Sequence, residues 1–147
     1  VSKGGGVALV AGSKRPEVKA VVTDGAFPVY GTAVFYSMKW IEIFSQSRFI
    51  YTYLPRWFYG IIVRTALGQI ERERHVRYLD VERGVKQLAG RPVFMIHGKR
   101  DNYIKREIVE ILFEQTPGPK ELWMVPGAKH NGALEKEGDE YRRRVRA

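Results

Sequence analysis

Three strand-length apolar runs, each set apart by enough chain for a helix, constrain the fold most. They are residues 19–24 (KAVVTD), 92–97 (PVFMIH) and 120–125 (KELWMV). Near-continuous apolar runs suit strands covered on both faces, and parallel strands need a crossover between them. Helical patterns fill the intervals. VALVA at 7–11 predicts a short buried helix, and VERGVKQLAG follows Asp80, an expected N-cap, and stops at Gly90. Residues 103–115 place Ile104, Ile108, Ile111 and Leu112 on one face, and Thr116-Pro117 ends that helix. A last helix is expected from 139, with Tyr141 and Val145 one turn apart. The expected fold class is therefore α/β, a parallel sheet flanked by helices.

Residues 26–79 break this alternation. They hold thirteen of the eighteen Phe, Trp and Tyr residues, and seven Lys or Arg against three Asp or Glu. Pro55 divides the stretch into two or more expected helices. It reads as a helical, aromatic lid or cap inserted into a core made of residues 1–25 and 80–147.

Composition excludes several classes. There is no cysteine, so a disulfide framework, a zinc-thiolate site and a thiol nucleophile are out. The net charge of +9 invites a nucleic-acid reading, but the excess is spread along the chain. The run Arg142, Arg143, Arg144, Arg146 follows Glu135, Glu137, Asp139 and Glu140, an order that complements a helix dipole. No nucleic-acid partner is expected. Three histidines without ligand spacing give no expected metal, and no cofactor is expected. No run of about 18 uncharged apolar residues marks a membrane span. The chain begins at Val1 with no signal-peptide run, so either an upstream segment was removed or this is a piece of a longer protein. The compartment stays open, with the cytoplasm as the default.

In a parallel sheet, ligands bind beyond the carboxyl ends of the strands. Asp24, His97, Asp101 and His130 all follow an expected strand, and Ser2 joins them if a strand ends just before Val1. Ser2 stands in Val1-Ser2-Lys3-Gly4-Gly5-Gly6. It reads either as a nucleophile on a sharp strand-to-helix turn, with Gly4 as the small residue two positions on, or as a glycine-rich helix start. Asp101, in HGKRD, can orient a histidine or cap the helix that follows. His130, in PGAKHNG, can be a general base or an exposed loop residue.

Taken together, Ser2, Asp101 and His130 follow the order of the α/β-hydrolase triad, and with their motifs the chain resembles that family along its whole length. The resemblance implies that the three strands are the family's last three and that residues 26–79 are its lid. It implies that Ser2 attacks an acyl carbon, His130 carries the proton, Asp101 holds His130, and the Lys3 backbone N–H donates to the oxyanion. A second oxyanion donor and the earlier strands would lie in an upstream part of the core that this chain lacks.

The function so implied is a serine hydrolase acting on an ester, thioester or similar small acyl substrate, inactive as an isolated piece if the upstream part is needed. A serine peptidase of the prolyl-oligopeptidase or serine-aminopeptidase kind shares the same motifs. A non-catalytic module meeting a membrane surface through the basic, aromatic lid is the remaining alternative. Asp24 is a second candidate for the acid. His97 reads as a structural hydrogen-bonder, and His75, among Arg72, Arg74 and Arg77, as a solvated residue.

Overall fold

The computed structural model describes residues 1–88 and 90–146, apart from the side chains of Arg48 and Tyr51. Along the chain run α1 (Lys3–Lys14), β1 (Val21–Asp24), α2 (Val29–Phe44), α3 (Arg48–Tyr53), α4 (Arg56–Arg74), α5 (Val81–Lys86), β2 (Val93–Gly98), α6 (Arg106–Gln115), β3 (Lys120–Val125) and α7 (Ala133–Arg146). They form two compact units, Val1–Pro28 with Leu79–Ala147, and Val29–Tyr78.

The first unit carries a three-stranded parallel sheet in the order β1-β2-β3. Val21 pairs with Val93 and Asp24 with Ile96; Val93 pairs with Lys120 and Gly98 with Val125. All three strands thus end at the same edge, and the loops that follow them share one end of the sheet. Alternation assigns the faces. Val93 and Met95 join Leu9 of α1, Val85 of α5 and Leu112 of α6 in one core. Phe94 and Ile96 point the other way, toward Val125, Trp123 and Tyr141 of α7.

Helix boundaries differ from expectation: α5 ends at Lys86 short of Gly90, and three helices start elsewhere, each for a local reason. α1 starts at Lys3 rather than Val7 and runs through Gly4, Gly5 and Gly6. Glycine is a poor helix former, but close packing selects it here. A Cβ on Gly5 would lie 2.9 Å from Cβ of Ala26, and one on Gly6 3.0 Å from Cγ2 of Val81. α6 starts at Arg106 rather than 103, because the Asp101 carboxylate takes the N–H groups of Tyr103 and Ile104 into a separate turn. α7 starts at Ala133 rather than 139 and continues past a non-helical Gly138 (φ 44°). Asp80 caps α5 as expected, its carboxylate accepting from Arg83 N–H. Gly90 takes a positive φ of 77° beyond that helix, and Ala89 of the same expected stretch lies outside the described residues.

The second unit is helical. α2 and α4 pack through Val34, Tyr59 and Val63, with Met38, Ile41 and Leu67 around them. Its limits, 29 and 78, lie within three residues of those expected for the aromatic insertion.

Candidate active site

Ser2 continues the sheet for one step. Its N–H donates to the carbonyl of Asp24 at 2.7 Å, on the edge of β1 away from β2. The chain then reverses into α1, and Ser2 takes φ 53° and ψ −126°. A non-glycine residue held at such angles costs about 1–3 kcal/mol and persists only where its surroundings impose it. Here the imposing contacts are the ladder bond before the turn and the Gly5 N–H to Ser2 carbonyl bond (2.9 Å) after it. Gly5 is held small by packing on β1 and the loop after it, since a Cβ there would lie 2.9 Å from Cβ of Ala26, while a Cβ on Gly4 would meet no atom outside its own helix turn within 4 Å.

His130 sits on the loop between β3 and α7. That loop is fastened to the one after β2: Lys99 N–H donates to Val125 carbonyl and Arg100 N–H to Ala128 carbonyl, each at 2.9 Å. The two chains approach so closely that a Cβ on Gly98 would strike the carbonyl oxygens of Ala128 and Lys129. On the other side, Gly25 (φ 66°) leaves room for the imidazole, since a Cβ there would lie 2.6 Å from Asn131 Oδ1 and 3.4 Å from His130 Cε1. The Tyr103 ring meets the imidazole edge-on, centroids 5.7 Å apart. Nothing local in the sequence marks Gly25, Gly98 or Tyr103 for these roles, because the contacts that require them are long-range.

These supports bring the three expected residues together. Ser2 Oγ lies 2.9 Å from His130 Nε2, and His130 Nδ1 lies 2.6 Å from Asp101 Oδ2. Asp101 is buried, and its other oxygen accepts from the N–H groups of Tyr103 (2.8 Å) and Ile104 (2.9 Å). The expected cap of α6 is not met, since Lys105 stands at that position; one oxygen of Asp101 organises a separate turn before the helix and the other meets the imidazole. An ionised carboxylate only accepts, so Nδ1 must donate to it. Nε2 is then left as the acceptor for the Ser2 hydroxyl. Lys3, the first residue of α1, has an N–H with no intrahelical partner.

The remaining candidates fall elsewhere. Asp24 is buried on the α7 side of the sheet and hydrogen-bonds Tyr141 rather than His130; its Oδ1 has no partner among the described residues. Burial raises its pKa above 3.8, the Tyr141 hydrogen bond opposing the shift. His97 is fully buried, its Nε2 3.0 Å from the Ile104 carbonyl, and burial pulls its pKa below 6.5. His75 is exposed and closes α4 at φ 52°. No cluster of three or more His, Cys, Asp or Glu suited to a metal occurs among the described residues.

Known structures share this arrangement of elements. An esterase of Pyrococcus furiosus superposes with a TM-score of 0.60 at 22% identity, over 98% of this chain and 48% of that one. The esterase domain of a Rhodothermus marinus protein gives 0.54 at 22% identity, over 97% and 57%. An α/β-fold hydrolase from Bacillus anthracis gives 0.60 at 18% identity, over 99% and 64%. The chain has the α/β-hydrolase fold, and it spans about half the length of the first of these structures. No protein-family model matches the sequence, and no curated protein is significantly similar to it.

Proposed function

We propose that this chain carries the nucleophile, base and acid of a serine hydrolase that cleaves carboxylic esters or thioesters through an acyl-enzyme. The observation that carries the reading is Ser2, held at φ 53° with its hydroxyl 2.9 Å from His130 Nε2, while His130 Nδ1 lies 2.6 Å from the Asp101 carboxylate. Ser2 Oγ attacks the acyl carbon while its proton passes to His130 Nε2. Asp101, bonded to Nδ1, steadies the imidazolium that forms. The oxyanion develops over the start of α1, where the Lys3 N–H and the positive end of the helix favour negative charge. Collapse expels the alkoxide or thiolate, which takes the proton from Nε2. Water then repeats the sequence, giving its proton to Nε2 and releasing the acid and free Ser2. The esterase neighbours support the ester preference. The helical unit 29–78 is read as the lid of such an enzyme.

The test is turnover of a panel of p-nitrophenyl esters and thioesters beside aminoacyl anilides. Ester or thioester turnover that disappears in Ser2→Ala and in His130→Ala supports the proposal. Anilide turnover with inert esters replaces it with a peptidase. Ester turnover unchanged in Ser2→Ala overturns the assignment.

A further inference from the structure

His97 lies outside the proton path of the proposed reaction, yet it is fully buried near the end of the central strand, β2. Its Nε2 stands 3.0 Å from the Ile104 carbonyl and 3.8 Å from Asp101 Oδ2. A carbonyl oxygen only accepts, so Nε2 carries the proton and donates it to the bond with Ile104. The other ring nitrogen, Nδ1, is buried without a hydrogen-bond partner among the described residues. Nothing described there holds a second proton. Burial also draws the pKa below 6.5, against the opposing pull of Asp101 and of the Ile104 carbonyl. The ring is thus neutral and fixed in one tautomer.

A buried nitrogen without a partner opposes folding, and an apolar side chain in this place would not leave one. The histidine adds a hydrogen bond to the same residue whose N–H Asp101 Oδ1 accepts at 2.9 Å. Ile104 is therefore gripped from both sides, its N–H by Asp101 and its carbonyl by His97. The first bond is internal to the turn over residues 101–104. The second ties the far end of that turn to β2, a strand paired on both edges. The consequence falls on Asp101 Oδ2, whose 2.6 Å bond to His130 Nδ1 depends on where the turn sits. At 3.8 Å the His97 N–H is too far to compete for that oxygen. We infer that His97 is a positioning residue for Asp101, fixing through the Ile104 carbonyl the turn that aims Oδ2 at His130. This role rests on the proposed function, which gives Asp101 its part in the reaction.

The test is NMR of the chain carrying isotope-labelled histidine, near neutral pH, beside the p-nitrophenyl ester assay. In the wild type, the nitrogen shifts of His97 should show Nε2 protonated and Nδ1 bare. His130 should give a low-field Nδ1 proton from its short bond to Asp101. His97→Gln places an amide N–H where Nε2 stood, whereas the shorter His97→Asn is polar but does not reach Ile104. The low-field signal should persist in the Gln variant and shift upfield or broaden away in the Asn variant. In step with it, kcat should fall about a hundredfold in the Asn variant at nearly constant KM, the scale of a misplacement of roughly 1 Å, and less than about tenfold in the Gln variant. A merely structural histidine predicts equal losses in both variants, following their thermal midpoints, and that result overturns the role. So does a wild-type His97 protonated on Nδ1, a measurement that needs no variant to fold. A low-field signal that responds as described in a chain that turns over no ester supports the positioning and removes only the proposed function. Ester turnover lost in Ser2→Ala but equal in the wild type and both His97 variants removes the positioning role alone.

Discussion

Gly98 and Ala128 approach so closely that the carbonyl oxygen of Ala128 occupies the space a Cβ on residue 98 would need. This contact fixes the height of the loop that carries His130 over the end of the sheet. Both oxygens in the way belong to backbone, so no side-chain rotation relieves the clash. Gly98→Ala should displace the loop and lower ester kcat/KM by about a hundredfold, the scale for a misplacement of roughly 1 Å at a catalytic group. Steady-state kinetics beside circular dichroism checks it; wild-type kinetics in the folded variant would contradict it.

Asp101 gives a sharper test of role. In Asp101→Asn the amide oxygen can still accept from Tyr103 and Ile104 N–H, which preserves the turn. The NH₂ then faces His130 Nδ1 and forces the proton onto Nε2, where it blocks acceptance from Ser2. A fall in kcat of about 10⁴-fold is expected with the thermal midpoint nearly unchanged. A loss of under tenfold would mean that Asp101 shapes the turn and does no more.

His97 sets an acid limb of stability. Its folded pKa lies below 6.5, so as pH drops the unfolded chain takes up a proton before the folded one does. The unfolded state binds more protons in that interval, and stability falls with falling pH from about 6.5 to the folded value. His97→Gln keeps an N–H for the Ile104 carbonyl and loses the titration. Urea denaturation across this window should show a shallower slope in the variant, and an equal slope would contradict the account.

Asp24 acts in the opposite sense. Its folded pKa lies above 3.8, so the stability it contributes is present below the unfolded value and lost as pH rises through the folded one. At neutral pH a buried carboxylate oxygen without a partner is left behind. Asp24→Asn keeps an acceptor for Tyr141 and removes the charge. Its thermal midpoint should exceed that of the wild type at about pH 7, with the gain fading toward pH 4. A variant less stable at both values would contradict this reading.

The strands were legible because their signal is local. Apolar runs end at Asp24-Gly25, His97-Gly98 and Val125-Pro126, and the structure ends β1, β2 and β3 within one residue of those points. From them came the question of which reactive side chains follow a strand, and so Ser2, Asp101 and His130. What stayed hidden depends on residues distant in sequence. Propensity argues against a helix through Gly4, Gly5 and Gly6, and only Ala26 and Val81 explain it. Nothing local marks Gly98 until the 126–132 loop folds down on it. Asp101 offers two roles in the sequence, helix cap or histidine partner, and nothing local shows that its other oxygen is taken by a turn at Tyr103 and Ile104 that ends before α6 begins.

The central claim is that Ser2 is a nucleophile activated by His130. A fluorophosphonate probe followed by peptide mass spectrometry tests it most directly. The account predicts one adduct, on Ser2, formed faster in the wild type than in His130→Ala and absent in Ser2→Ala. An adduct on any other residue, or labelling that persists at the same rate in Ser2→Ala, would contradict it.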